Sequence, residues 1–244
     1  MYPVLFRIGD FEITSFGVLV AIGSLIGIWI FQRELTRKGL PEAGVDAGIA
    51  GVLGGLVGAK LLWTIEHVGD GPITDLLFSR GGMSWFGGFL GGVGAGIWML
   101  RRRGIPVMAG LAAASPGLAL GHAIGRIGCF LVGDDYGRPT DLPWGVAFPE
   151  GLPPTDIPVH PTQLYEMAAL LPVVWLLIRW RRQGVADRTV FGRYLVLAGI
   201  IRFAIEFVRV NEPLAGPFTL AHLISAAVTI AGLGILLSRA RSHR

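Results

Sequence analysis

The chain has 244 residues, 52% hydrophobic and only 16% charged, with a formal net charge of +4 and a mean hydropathy of +0.60. Soluble domains carry roughly 25% charged residues, so this balance excludes an ordinary water-soluble fold and makes lipid the solvent. The single cysteine, Cys129, excludes an internal disulfide and any multi-cysteine metal site.

A helix crossing the hydrocarbon core needs about 20 mostly apolar residues. Seven segments meet that need: 15–33, 46–65, 83–100, 107–132, 162–178, 190–208 and 218–237. The first lacks a charged leader and a small-residue cleavage site, so it reads as a retained helix and not a signal peptide. The second and third are rich in glycine, which lets helix backbones approach closely. Between the fourth and fifth lies the longest loop, 133–161. Its aromatic and proline residues (Tyr136, Pro139, Pro143, Trp144, Phe148, Pro149) predict order, and a loop of this length is usually functional. The expected fold is an all-α integral membrane protein, a bundle of about seven transmembrane helices forming one domain over 1–244.

The connections alternate in charge. The 33–45 loop, Arg101 to Arg103, the 179–189 loop and the C-terminal tail hold 13 of the 21 Lys and Arg. The N-terminus and loops 66–82, 133–161 and 209–217 hold four (Arg7, Arg80, Arg138, Arg209) but 11 of the 17 acidic residues. The positive-inside rule then puts the N-terminus and loop 133–161 outside and the C-terminus in the cytoplasm. The basic balance is thereby explained by topology, and nucleic acid is excluded as a partner.

Lys60, Arg126, Glu166, Arg193, Arg202 and Glu206 fall inside or at the rims of the spans. A charge at mid-bilayer costs about 2.5–3.5 kcal/mol on insertion scales, so each needs a partner or a role. Lys60 and Arg193 can snorkel to an interface. Arg202 and Glu206, spaced i,i+4, form either a structural ion pair or part of a site. Arg126 lies in Gly125-Arg126-Ile127-Gly128 with His122 one turn earlier. The flanking glycines predict an exposed guanidinium with open backbone beside it, suited to a phosphate held bidentately. Two arginines on the outward side point to an anionic lipid headgroup. His122 is either a base or a core histidine satisfied by a backbone carbonyl, and Cys129 reads as a packing residue. His67, His122, His160, His222 and His243 show no paired ligand spacing, so no metal is expected. Gly-rich helices with buried charges also occur in small transporters, but the matched interrupted repeats of that class are absent from the sequence.

Four stretches carry a resemblance. His122-Ala-Ile-Gly-Arg126-Ile-Gly-Cys-Phe-Leu-Val-Gly-Asp-Asp-Tyr-Gly-Arg138, continuing to Pro149, closely resembles the signature region of prolipoprotein diacylglyceryl transferases. So do His160-Pro-Thr-Gln-Leu-Tyr-Glu166, Arg202-Phe-Ala-Ile-Glu206-Phe-Val-Arg209 and the third-span motif Met83 to Gly91, in family order. The resemblance implies an enzyme of the bacterial inner membrane with its site toward the outer leaflet. Its implied partners are phosphatidylglycerol, preprolipoprotein lipobox peptides and the bilayer. The diacylglyceryl group would pass to a cysteine thiol, leaving glycerol 1-phosphate, with no metal or organic cofactor and the chain acting as a monomer. Arg126 matches the family's phosphatidylglycerol-binding arginine, and Gly137 a glycine of the same signature. Asp134 stands where the family often has glutamate. Arg202 and Glu206 match an essential arginine and a glutamate one turn on. His160, Gln163, Tyr165 and Glu166 match the motif opening span 5, with Pro161 suited to the first helical turn; Tyr165 and Glu166 either touch substrate or orient the arginines. The chain departs from the family at Phe86 (commonly histidine), at Phe16 and Ala198 (tyrosines) and at Cys129 (asparagine). Thiol activation then falls to His122 or to the charges of Arg126 and Arg202. These departures also admit a relative acting on another acceptor or lipid, and a lipid-binding scaffold without catalysis is the further alternative.

Overall fold

The computed structural model describes residues 1–9, 11–79, 81–214 and 216–238. Arg80, His243 and the tail arginines Arg239, Arg241 and Arg244, all weighed above, lie outside the described residues. The chain forms two compact units, Ile28–Ala114 and Met1–Gly27 with Ser115–Arg244.

Seven long helices are present among the described residues: α1 (Ser15–Arg37), α2 (Val45–Glu66), α4 (Trp85–Arg102), α5 (Val107–Val132), α6 (Thr162–Arg182), α7 (Asp187–Glu206) and α8 (Leu220–Leu237). Their ends fall within about four residues of the segments expected from the apolar runs. A short helix, α3 (Ile73–Phe78), and a 3-10 turn at Glu42–Gly44 were not anticipated. Among the described residues, four helices are long and apolar enough to cross a membrane: Ser15–Arg37, Glu42–Glu66, Val107–Val132 and Leu220–Leu237. The chain is mostly helical, as expected of an all-α protein, with two small strand pairs outside the helices. Strands β1 (Val4–Ile8) and β2 (Phe11–Thr14) form an antiparallel hairpin, closed by the Arg7–Glu12 ion pair at 2.6 Å. A second small pair, β3 (Val146–Phe148) and β4 (Thr155–Val159), lies inside the long loop. Strands this short carry too few residues for alternation to stand out in a sequence.

In the unit 28–114, α2 and α4 meet through glycine. A Cβ on Gly58 would lie 2.4 Å from the Gly87 carbonyl oxygen, and one on Gly91 2.3 Å from that of Gly54. Backbones this close leave no room for a side chain, which is how apolar helices gain contact where lipid offers no hydrophobic drive. Phe31, Leu35, Ala47, Leu100, Ile105 and Ala113 form the buried core of this unit. Lys60 does reach a helix rim. Its Nζ donates to the Ser79 carbonyl (2.9 Å), to Ser79 Oγ (2.7 Å) and to the Gly81 carbonyl (2.7 Å), pinning the loop before α4.

In the other unit, α1 and α5 approach at Gly27 and Gly117, and α7 and α8 at Gly192 and Gly232. The long loop is ordered by its own aromatics: Tyr136 stacks on Phe148 at 5.4 Å, and Phe130 meets Phe148 edge-on at 5.6 Å. Short bridges tie Pro139 to Val159 and Gly137 to Arg209. The end of α5, the start of α6, the end of α7 and the start of α8 therefore share one loop system, and Arg126, Glu166, Arg202 and Glu206 lie near these helix ends.

Candidate functional site

Helical spacing places His122, Arg126 and Cys129 on one face of α5. Arg126 is only 8% exposed, which corrects the exposed guanidinium expected from its glycine neighbours. Its Nε donates to Glu166 Oε2 at 2.7 Å, Nη2 lies 2.5 Å from the same oxygen, and Nη1 donates to Asp135 Oδ2 at 2.8 Å. The glycines do leave open space: nothing lies within 4 Å of a Cβ built on Gly125. Glu166, on the second turn of α6, is 1% exposed. Its other oxygen faces His122 Nε2 at 3.3 Å, and Arg202 lies within electrostatic reach. One buried carboxylate thus gathers three basic groups. His122 is 45% exposed and meets a carboxylate, so it is not the carbonyl-satisfied core histidine considered above.

Asp135 continues the chain of charges. Its backbone has φ +61°, an uncommon conformation that aspartate tolerates better than most residues. Thr162 Oγ1 donates to its carbonyl at 2.7 Å, and Gln163 Nε2 donates to the Asp134 carbonyl at 2.5 Å. With the backbone held at both carbonyls, the Asp135 carboxylate bridges Arg126 and Arg209 Nη2. Burial alone would raise its pKa, but the hydrogen bond and charge of Arg209, joined by Arg126, lower it to about 2. Asp134 shifts the other way, raised first by burial and then by the neighbouring Asp135 charge.

Arg209 approaches Glu206 at 3.7 Å, and Arg202 Nη1 lies 2.6 Å from the same Glu206 oxygen, the i,i+4 pair expected. Glu206 Oε1 accepts from Thr219 Oγ1 (2.6 Å) and Asn211 Nδ2 (2.7 Å). Thr219 is also the N-cap of α8, in a reciprocal capping box with His222. Three guanidiniums and three carboxylates therefore alternate from His122 to Arg202: Glu166, Arg126, Asp135, Arg209, Glu206, Arg202. Arg202 is the half-buried member at 26% exposure, and among the described residues its only ion pair is to Glu206. Among the described residues, Nε and Nη2 of its guanidinium make no hydrogen bond or ion pair.

The other residues singled out in the sequence stand elsewhere. Gln163 is fully buried and clamps backbone. A Cβ on Gly137 would lie 2.4 Å from the Val208 carbonyl and 2.8 Å from His160 Cβ, so packing alone requires this glycine. His160 Nδ1 lies 3.2 Å from the Tyr165 hydroxyl, which accepts from Trp144 Nε1 at 2.7 Å. This triad ties loop to helix and makes no hydrogen bond or ion pair to the arginines among the described residues. Pro161 sits just before α6 and not in its first turn. Asp135 and Arg209 were not selected from the sequence. Arg209 closes the Arg202 motif and was counted as a loop charge; Asp135 is adjacent to Asp134, and nothing local distinguishes which of the two meets the arginines. Cys129 Sγ and the two aspartates lie within 4.8 Å of one another, but Asp135 is already shared between two guanidiniums, which leaves a poor donor set for a metal.

The whole length of the chain has known counterparts. The family profile for prolipoprotein diacylglyceryl transferase matches residues 3–238. A relative from Geobacter sulfurreducens is 35% identical over 254 residues, covering 97% of this chain and 95% of its own. One from Vibrio vulnificus is 32% identical (96% and 90% covered), and one from Clostridium tetani 32% identical (86% and 86%). All three carry the name phosphatidylglycerol–prolipoprotein diacylglyceryl transferase. With the profile running nearly end to end and these relatives matched over most of their length, the chain belongs to the prolipoprotein diacylglyceryl transferase family.

Proposed function

We propose that this chain transfers the diacylglyceryl group of phosphatidylglycerol to the lipobox cysteine of preprolipoproteins, the first step of bacterial lipoprotein maturation. The thiolate sulfur bonds to the glyceryl carbon, and that carbon's bond to the phosphate oxygen breaks. The electron pair leaves with glycerol 1-phosphate. The phosphodiester carries one negative charge and the departing monoester gains a second. A cation fixed beside the phosphate therefore stabilises the transition state more than the ground state.

The observation that carries this reading is the contrast in donors along the network. Among the described residues Arg202 has guanidinium N–H groups without protein partners, beside a buried Glu166 that also holds Arg126 and His122. Arg202 takes the phosphate directly. Arg126, screened by Glu166 and Asp135, supplies charge and fixes the frame. A free thiol has a pKa near 8.5 and must lose its proton. With Nε2–H directed at Glu166, His122 presents Nδ1 on its exposed side as the base, a carboxylate-oriented imidazole of the kind used to activate nucleophiles. The substitution needs no electron or metal carrier. Every member of the network comes from one chain, so a monomer suffices.

The same proposal includes the topology. All seven long helices cross the bacterial inner membrane as one domain over 1–244, with the N-terminus outside and the C-terminus in the cytoplasm. The asymmetry of basic loops supports this. The charge network then belongs to the outer leaflet, where the loop 133–161 and the α7–α8 connection meet it. The test is transfer from phosphatidylglycerol vesicles to a lipobox peptide, with glycerol phosphate release measured in parallel. Wild-type protein gives both products in equal amounts; lipid binding with no release would reject the reading.

A further inference from the structure

Three helices repeat, near their C-termini, one arrangement that the reaction does not use. Trp29 and Arg33 in α1, Trp98 and Arg102 in α4, and Trp175 and Arg179 in α6 are each spaced i,i+4 near a helix C-terminus. In each pair the guanidinium carbon lies over the indole ring, at 4.3, 5.0 and 5.2 Å from its centroid. The indoles are 51%, 54% and 57% exposed, on the outer surface of the protein. Residues four apart share a helix face, and helical side chains lean toward the N-terminus, so the arginine folds back over the tryptophan.

A second arginine beside each pair shows what is unusual. Arg37 pairs with Glu34 at 2.7 Å, Arg103 with Asp46, and Arg181 with Asp187 at 2.6 Å. Each helix end thus has at least one arginine neutralised by a carboxylate and at least one that, among the described residues, is not. Among the described residues, Arg33, Arg102 and Arg179 meet no carboxylate. A guanidinium stacked flat on an indole uses its face, and its N–H edges stay open in a fixed plane. That plane matches the two free oxygens of a phosphodiester. The indole below, apolar in body and polar at one edge, belongs where acyl chains meet headgroups.

We infer that these three Trp–Arg pairs are separate binding sites for the phosphate of anionic phospholipids, in the leaflet opposite the reaction. The leaflet assignment rests on the topology proposed above; the sites themselves do not. Bound lipid there holds the helix ends at headgroup depth and leaves the substrate site untouched.

The full-length protein in nanodiscs provides the test, with tryptophan fluorescence read against lipids brominated near the headgroup end of their chains. At equal bromine content, brominated phosphatidylglycerol in a phosphatidylcholine background quenches more than brominated phosphatidylcholine. The excess is lost in the triple variant Arg33→Gln, Arg102→Gln, Arg179→Gln, which keeps wild-type transfer activity. Equal quenching by the two lipids in the wild type, or an undiminished excess in the Gln variant, overturns the inference. The triple Arg→Lys variant separates geometry from charge: partial loss supports the stacked plane, and a full excess refutes it. In intact spheroplasts, a membrane-impermeant maleimide reacting at Gln183→Cys, against the buried Cys129 of the parent, reads the leaflet independently. Labelling from the outer side would move the sites to the other leaflet while leaving their existence to the quenching result.

Discussion

Arg126 and Arg202 each pair with a buried glutamate, but their donors are committed to different degrees. Arg126 is 8% exposed and divides its donors between Glu166 and Asp135. Arg202 is 26% exposed and meets one carboxylate with one nitrogen. A guanidinium whose donors are consumed is a fixed charge and a brace, while one with donors to spare is a receptor. Burial and partner count decide this difference, and neither belongs to the arginine's immediate sequence. The glycines around Arg126 suggested openness, but they provide it beside Gly125 and not at the guanidinium.

The comparison is broken most severely at its buried member. Arg126→Ala removes the cation shared by Glu166 and Asp135, leaving Glu166 to His122 and Asp135 to Arg209, and breaking a buried ion pair costs about 3–5 kcal/mol. Transfer should be abolished and the melting temperature should fall sharply; substantial remaining turnover would sink its part in the account. Arg202→Ala should lower kcat by about 10²–10³, the usual loss for one transition-state donor, with a much smaller change in melting because Thr219 and Asn211 still serve Glu206. A stability loss matching that of Arg126→Ala would erase the distinction between brace and receptor. His122→Gln should slow transfer about 10²-fold near neutral pH. The deficit should shrink above pH ~8.5, where the thiol ionises unaided; full turnover at pH 7 would remove His122 as base.

Much of this was legible in the residues. Apolar runs locate helices because a lipid-crossing helix must be apolar over most of its length. His122, Arg126, Arg202, Glu166 and Glu206 stand out because charge is costly there. The partners were less legible. Arg209 reaches Asp135 across 74 positions in the chain, and only the fold decides that Asp135, not Asp134, turns its carboxylate to the arginines. Gln163, Tyr165 and His160 share a motif with Glu166, and their side-chain hydrogen bonds hold loop backbone and one another. Motifs collect scaffold and chemistry together, and sequence alone does not sort them.

The smallest expected effect sharpens the same contrast. Asp135 spans Arg126 and Arg209 much as a phosphate would, so Asp135→Asn should tighten glycerol phosphate binding severalfold by titration calorimetry. Weaker binding would mean the carboxylate organises the site and does not compete with the ligand. The sign of its pH dependence is fixed. A pKa of about 2 in the fold against ~3.9 unfolded makes the carboxylate stabilising above pH ~4, with that contribution lost as pH falls through 2. Acid titration of the wild type between those limits should loosen the loop, and the Asn variant should lack that step.

The most direct measurement is arginine modification by phenylglyoxal, mapped by peptide mass spectrometry with and without phosphatidylglycerol. Arg202 should react in the free protein and be protected by the lipid, while Arg126 stays unmodified in both. Ready modification of Arg126, or reaction at Arg202 that the lipid does not slow, would contradict the assignment of the phosphate to Arg202.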